Sequence, residues 1–122
     1  MTASDPVAPW LTTHVLDTTR GVPAAGMSLT LARVAGGESS IIGSFVTNAD
    51  GRTDGPLWQG SDLLPGQYEI TYGVGDYFAD GTTPSDRYLD VVPVRFGVSP
   101  SDVHIHVALL VTPWSYTTYR GS

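Results

Sequence analysis

Turn signals interrupt this chain about every eight to fifteen residues, a spacing that suits an all-β sandwich and not a helical bundle. Fourteen Gly and nine Pro supply most of them, in clusters such as Arg20-Gly21-Val22-Pro23, Gly36-Gly37, Asp50-Gly51, Pro65-Gly66 and Ser99-Pro100. Between the clusters, the strand candidates are Leu11–Leu16, Met27–Val34, Ile41–Thr47, Gln67–Val74, Tyr88–Val98, Val103–Thr112 and Ser115–Tyr119. One or two helical turns are expected over Asp76–Asp80, capped by Asp76 and stopped before Gly81 and Pro84. With 122 residues, 41% of them hydrophobic, the chain is long enough for one domain with a real core. No internal repeat, low-complexity tract or long linker divides it.

Side-chain alternation shows which face of each strand is buried. Tyr68, Ile70 and Tyr72 share one face and Gln67, Glu69 and Thr71 the other, the pattern of a half-buried strand. Met27, Leu29 and Leu31 alternate in the same way with Ser28, Thr30 and Ala32, until Arg33 brings that end to the surface. In Val103–Thr112 one face is aliphatic throughout: Val103, Ile105, Val107, Leu109 and Val111. The opposite face, His104, His106, Ala108, Leu110 and Thr112, is too apolar for an ordinary solvent face, and its expected cover is another subunit. The first strand repeats the theme, with Leu11, Thr13 and Val15 on one side and Thr12, His14 and Leu16 on the other. Two strands thus set imidazoles beside aliphatic side chains, away from their better core face.

Charge and cysteine content exclude whole classes of function. Six Arg and no Lys stand against twelve Asp and Glu, a net charge of −6. Binding to nucleic acid or to anionic lipid needs clustered positive charge, so neither partner is expected. The lack of Cys removes disulfides, thiolate metal sites and Cys nucleophiles. No run of 18 apolar residues predicts a membrane span, and Met1–Pro9 lacks the basic and apolar regions of a secretory signal. The expected compartment is the cytoplasm.

His14, His104 and His106 are the only histidines. His104 and His106 are two residues apart, so a strand points both to one side. Three imidazoles suit zinc with an open position for water; a neutral imidazole also works as acid or base without metal. Each histidine reads equally well as filling a hydrogen-bonding niche. Asn48–Gly55 is not a calcium loop, because Arg52 and Gln59 stand where oxygen ligands are needed. Asp50-Gly51 there reads as a turn, and Arg52, taken alone, as a surface charge. Gly73-Val74-Gly75 is a turn into the short helix and not a nucleotide loop, and no Gly-x-Ser-x-Gly is present. Trp58, Trp114 and the other aromatics read as packing. The tail, Pro113 to Ser122, stays β-prone almost to its end, so the end itself is expected to be held in place.

Four stretches, in order, carry a family resemblance: Leu11-Thr12-Thr13-His14-Val15-Leu16-Asp17-Thr18-Thr19-Arg20-Gly21-Val22-Pro23-Ala24, Thr47-Asn48-Ala49-Asp50-Gly51-Arg52, His104-Ile105-His106-Val107 and Tyr119-Arg120-Gly121-Ser122. Together they resemble the 5-hydroxyisourate hydrolases, the transthyretin-related enzymes of urate breakdown, from Leu11 to Ser122, with residues 1–10 as an N-terminal extension. The resemblance implies a transthyretin-like sandwich of two four-stranded sheets with one short helix. It also implies a homotetramer, a dimer of dimers with its active sites in the channel between dimers. His14, Arg52, His106 and Ser122 match the catalytic set. His14, Arg52, His104, Tyr119, Arg120 and Gly121 would contact the substrate, 5-hydroxyisourate, with no cofactor and no metal. The rival implied by the same resemblance is a transthyretin-like carrier without turnover. Ile105, Ala108 and Val91-Val92-Pro93 depart from the hydrolase pattern, and at Ala108 the chain is closer to the carriers.

Overall fold

A computed structural model describes residues 9–79 and 86–121. Two sheets face each other. The first is ordered β2 (Val22–Pro23), β1 (Trp10–Asp17), β8 (His104–Val111), β9 (Tyr116–Gly121). The two-residue β5 (Trp58–Gln59) also pairs with β1, opposite Trp10 and Leu11, while β2 pairs with its other end. The two short strands share one edge, so this five-stranded sheet is four strands wide. The second sheet is ordered β4 (Glu38–Val46), β3 (Ser28–Ala35), β6 (Gly66–Gly73), β7 (Val91–Val98). The expected all-β, transthyretin-like two-sheet sandwich is the observed architecture.

The core lies between the sheets and is made of the apolar faces that alternation picked out, except for Val103, which precedes β8 and is exposed. Leu11 and Val15 of β1 meet Ile105, Val107, Leu109 and Val111 of β8, and across from them stand Leu29, Leu31, Tyr68, Ile70 and Tyr72. Burying each such side chain contributes about 1.5–3 kcal/mol. The one polar side chain of β1 between Leu11 and Val15 on this face is Thr13, and it is satisfied internally: its hydroxyl donates to the Val107 carbonyl at 2.7 Å and accepts from the Tyr72 phenol at 2.8 Å. Burial pushes the Tyr72 phenol well above its ordinary range, so it stays a donor.

Three expectations need correction. The helix α1 runs Val74–Tyr77, with Gly73 and not Asp76 at its N-cap; Asp76 sits in the first turn. Fully buried Val74 anchors the start in the core, two residues earlier than local capping signals suggest. Asp80, Gly81 and Pro84 lie outside the described residues. The strand expected from Tyr88 begins at Val91, and Pro93 is accommodated because β7 is an edge strand. Trp114 is 68% exposed and packs into no core, whereas Trp58 does pack against it.

Candidate active site

The outward face of the first sheet is built by strands far apart in the chain. β1 and β8 run parallel, with Trp10 opposite His104, Thr12 opposite His106, His14 opposite Ala108 and Leu16 opposite Leu110. β9 adds Gly121 beside His106, Tyr119 beside Ala108 and Thr117 beside Leu110. Partners across a ladder share a face, so these residues form four rows on one surface. The rows holding His104 and His106 border a recess of about 240 Å³, lined by Trp10, Thr12, Arg52, Thr53, His104 and His106 among others.

Hydrogen bonding restricts where the ring protons sit. His14 Nε2 is 2.8 Å from the Asp50 carbonyl oxygen. A carbonyl only accepts, so His14 donates from Nε2, and its neutral form keeps the lone pair on Nδ1. The His14 and His106 ring centroids are 6.5 Å apart, too far to bond each other and close enough for one small molecule to touch both. His104 lies 5.8 Å from His106 and stacks on the Trp10 indole at 4.6 Å with an 18° interplanar angle. Burial, then the nearby charges of Arg52, His104 and His14, hold the His106 imidazole below its ordinary value of 6.5, so it is neutral at pH 7.

Arg52 is brought to the recess by a tightly tied turn. The Asn48 carboxamide accepts from the backbone N–H groups of Asp50 (2.9 Å) and Arg52 (3.2 Å), and the turn returns the Arg52 carbonyl to the Asn48 N–H at 2.7 Å. Gly51 has φ +75°, and a Cβ there would lie 2.3 Å from the Val15 carbonyl, so no other residue fits. The turn docks on β1 through Val15 N–H to the Gly51 carbonyl at 2.8 Å and through His14 to Asp50. Four other guanidiniums pair with carboxylates: Arg20 with Asp17, Arg87 with Asp76 and Asp90, Arg95 with Glu69, and Arg120 with Asp102. Arg33 donates to the Tyr68 phenol and the Pro65 carbonyl. Among the described residues, Arg52 alone has no hydrogen-bond partner for its guanidinium.

The tail is held, as expected, by pairing along β8 up to Gly121. A Cβ on Gly121 would come within 2.5 Å of His106 Cδ2, so glycine leaves the space that the imidazole occupies. Tyr119 is on the histidine face and 54% exposed. Arg120 falls on the opposite face, beside Val107; it pairs with Asp102 at 3.0 Å and donates to the His104 carbonyl at 3.2 Å. The Ser99 backbone N–H and then Arg120 hold the Asp102 carboxyl below the usual range. Ser122 lies outside the described residues.

The structure therefore brings His14, His104, His106, Arg52, Gly121 and Tyr119 to one surface, Tyr119 in the row of His14, with Arg120 turned from it. Among the described residues, no group of three or more His, Cys, Asp or Glu side chains is placed together as metal ligands. Trp10 and Thr12 also border the recess: the sequence puts Thr12 on the histidine face without a function and groups Trp10 with the packing aromatics, whereas it stacks on His104.

Residues 11–121 match the model of the HIUase/Transthyretin family. A 5-hydroxyisourate hydrolase from Deinococcus radiodurans is 52% identical over 115 residues, covering 93% of this chain and 97% of that protein. The structure of Klebsiella pneumoniae 5-hydroxyisourate hydrolase superposes with a TM-score of 0.75 at 32% identity, over 93% of this chain and 94% of that one. Sea bream transthyretin in complex with thyroxine superposes with a TM-score of 0.80 at 30% identity, over 91% and 93%. With this match along nearly its whole length, the chain belongs to the HIUase/Transthyretin family.

Proposed function

We propose that this chain is a cytoplasmic 5-hydroxyisourate hydrolase, which opens a cyclic amide by water attack to give 2-oxo-4-hydroxy-4-carboxy-5-ureidoimidazoline. The observation that carries the reading is an unpartnered guanidinium facing a recess whose imidazoles include one held neutral at pH 7. Amide hydrolysis needs a base for water, stabilisation of a tetrahedral oxyanion and a proton for the leaving nitrogen. His14 and His106 orient and deprotonate the water and return the proton. Arg52 holds the substrate's carbonyl or anionic oxygens with its planar fork. His104, Tyr119, Gly121 and Ser122 shape the pocket, with Arg120 anchoring the tail behind it. The scheme uses no cofactor or metal.

The domain runs from 11 to 122, preceded by an extension over 1–10. The assembly that suits it is a homotetramer, a dimer of dimers with sites where the dimers meet. Two features support this. β7 and β9 are the outermost strands on one side of both sheets, and edges with unpaired N–H and C=O groups take up further strands. Leu16, Leu110 and Tyr119 also leave an apolar outer surface beside the histidines. The carrier reading is disfavoured by a free Arg52 and a neutral His106, which a carrier would not need.

The deciding experiment generates 5-hydroxyisourate from urate with urate oxidase and follows its ultraviolet decay. Accelerated decay with this protein supports the hydrolase, and removal of Arg120-Gly121-Ser122 should damage the rate more than the melting temperature. Decay at the spontaneous rate, with saturable ligand binding, would replace the enzyme by the carrier.

A further inference from the structure

Thr12 is joined to two imidazoles at once. Its hydroxyl oxygen is 2.7 Å from His104 Nε2 and 2.7 Å from His106 Nδ1. A hydroxyl has one proton, so it can donate to one ring at most, and the other ring must donate to it. At least one of the two facing nitrogens therefore carries a proton, and the tautomers of His104 and His106 are not independent. If His106 donates from Nδ1, its Nε2 keeps a lone pair and acts as a base. If instead His104 donates from Nε2, the hydroxyl proton points at His106 Nδ1, and a neutral His106 carries its proton on Nε2.

We propose that Thr12 is a positioning residue that makes His104 and His106 one proton-sharing pair, setting His106 with Nδ1–H inward and Nε2 free to take the proton of the attacking water. This rests on the hydrolase reading and deepens it. As the water oxygen bonds to the amide carbon, its proton goes to His106 Nε2. The Nδ1 proton passes to the Thr12 oxygen, and the Thr12 hydroxyl proton passes to His104 Nε2. The charge then rests on His104. When the C–N bond breaks, the same shifts in reverse return the proton through His106 Nε2 to the leaving nitrogen. Every proton is accounted for and none is lost to solvent.

The surroundings favour moving the charge in this direction. His106 faces Arg52 from the turn after β4, His14 from β1 and His104 on its own strand, all of which oppose a positive charge on it. β9 offers it only Gly121, which has no side chain. His104 stacks on the electron-rich face of Trp10, a surface that stabilises a cation. The nearest guanidinium on the β9 side, Arg120, meets only the His104 backbone carbonyl and is paired with Asp102.

The test compares Thr12→Val, which keeps the shape and removes the hydroxyl, with Thr12→Ser, which keeps the hydroxyl. In protein labelled with ¹⁵N-histidine, long-range ¹H–¹⁵N correlation spectra should show His106 as the Nδ1–H tautomer in the parent and in Thr12→Ser, and lose that preference in Thr12→Val. In the decay assay, Thr12→Val should lower kcat about ten-fold, a part of the about 10²–10⁴-fold that acid–base catalysis supplies, with KM changed less than about two-fold. The acid limb of the kcat pH profile should shift in Thr12→Val, and Thr12→Ser should restore it. An unchanged tautomer and pH profile in Thr12→Val would overturn the proposal, as would equal losses in both variants. If even the parent fails to hydrolyse 5-hydroxyisourate, the hydrolase reading falls, while the spectra still judge the Thr12 link separately.

Discussion

The two faces of β1 and β8 are made from the same strands and obey opposite rules. Inward, Leu11, Val15, Ile105, Val107, Leu109 and Val111 are almost fully buried and closed against the second sheet. Outward, Trp10, Thr12, His104 and His106 border a recess with His14 one row on, and their partners are hydroxyls, carbonyls and one another. Because strand side chains alternate with a period of two, adjacent residues in the chain answer to stability and to chemistry in turn. Thr12 and Thr13 make the contrast sharpest: one links two imidazoles at the surface, the other is a buried clip between Val107 and Tyr72.

That division can be broken from either side. The largest effect is expected outward: Arg52→Ala or His106→Asn should cost about 10²–10⁴-fold in kcat/KM, with a melting temperature close to that of the parent. Loss of fold in both variants, seen by circular dichroism, would erase the distinction between the faces. Inward, Leu109→Ala should cost about 2–5 kcal/mol of stability in a denaturant titration, through lost transfer energy and a cavity. A smaller change is expected at Gly121→Ala, whose methyl would displace the His106 ring; about ten-fold lower turnover with a nearly unchanged midpoint would show that the glycine serves the imidazole.

The pH dependence sharpens the contrast further. Burial first, then Arg52, His104 and His14, make the folded protein bind the His106 proton less readily than the unfolded chain does. Stability from this group is therefore complete above the ordinary imidazole value of 6.5 and declines as pH falls through and below it. The acid limb of kcat/KM should likewise lie below 6.5, and should move towards it when the Arg52 charge is removed. Parallel melting curves and rate profiles against pH would read both.

Much of this was legible along the chain. Burial in β1 alternates as the sequence predicts, with Leu11, Thr13 and Val15 inward and Thr12, His14 and Leu16 outward, and Asp50-Gly51 is a turn whose glycine has the positive φ its position demands. The local pattern makes Val74 the end of a strand, but it begins the helix, since its attachment to the core is not a local property. The freedom of Arg52 was hidden as well: six arginines look alike in sequence, and only their neighbours in space show that the others are engaged.

Alternation along a strand is set by backbone geometry residue by residue, so the order of amino acids alone determined that His104 and His106 share a face and that His14 lies opposite Val15. Which strands become neighbours is decided by long-range pairing and by the closing of the core, which no local pattern encodes. Thr12 is 92 residues from His104 and 94 from His106, and only the parallel alignment of β1 with β8 sets its hydroxyl between them.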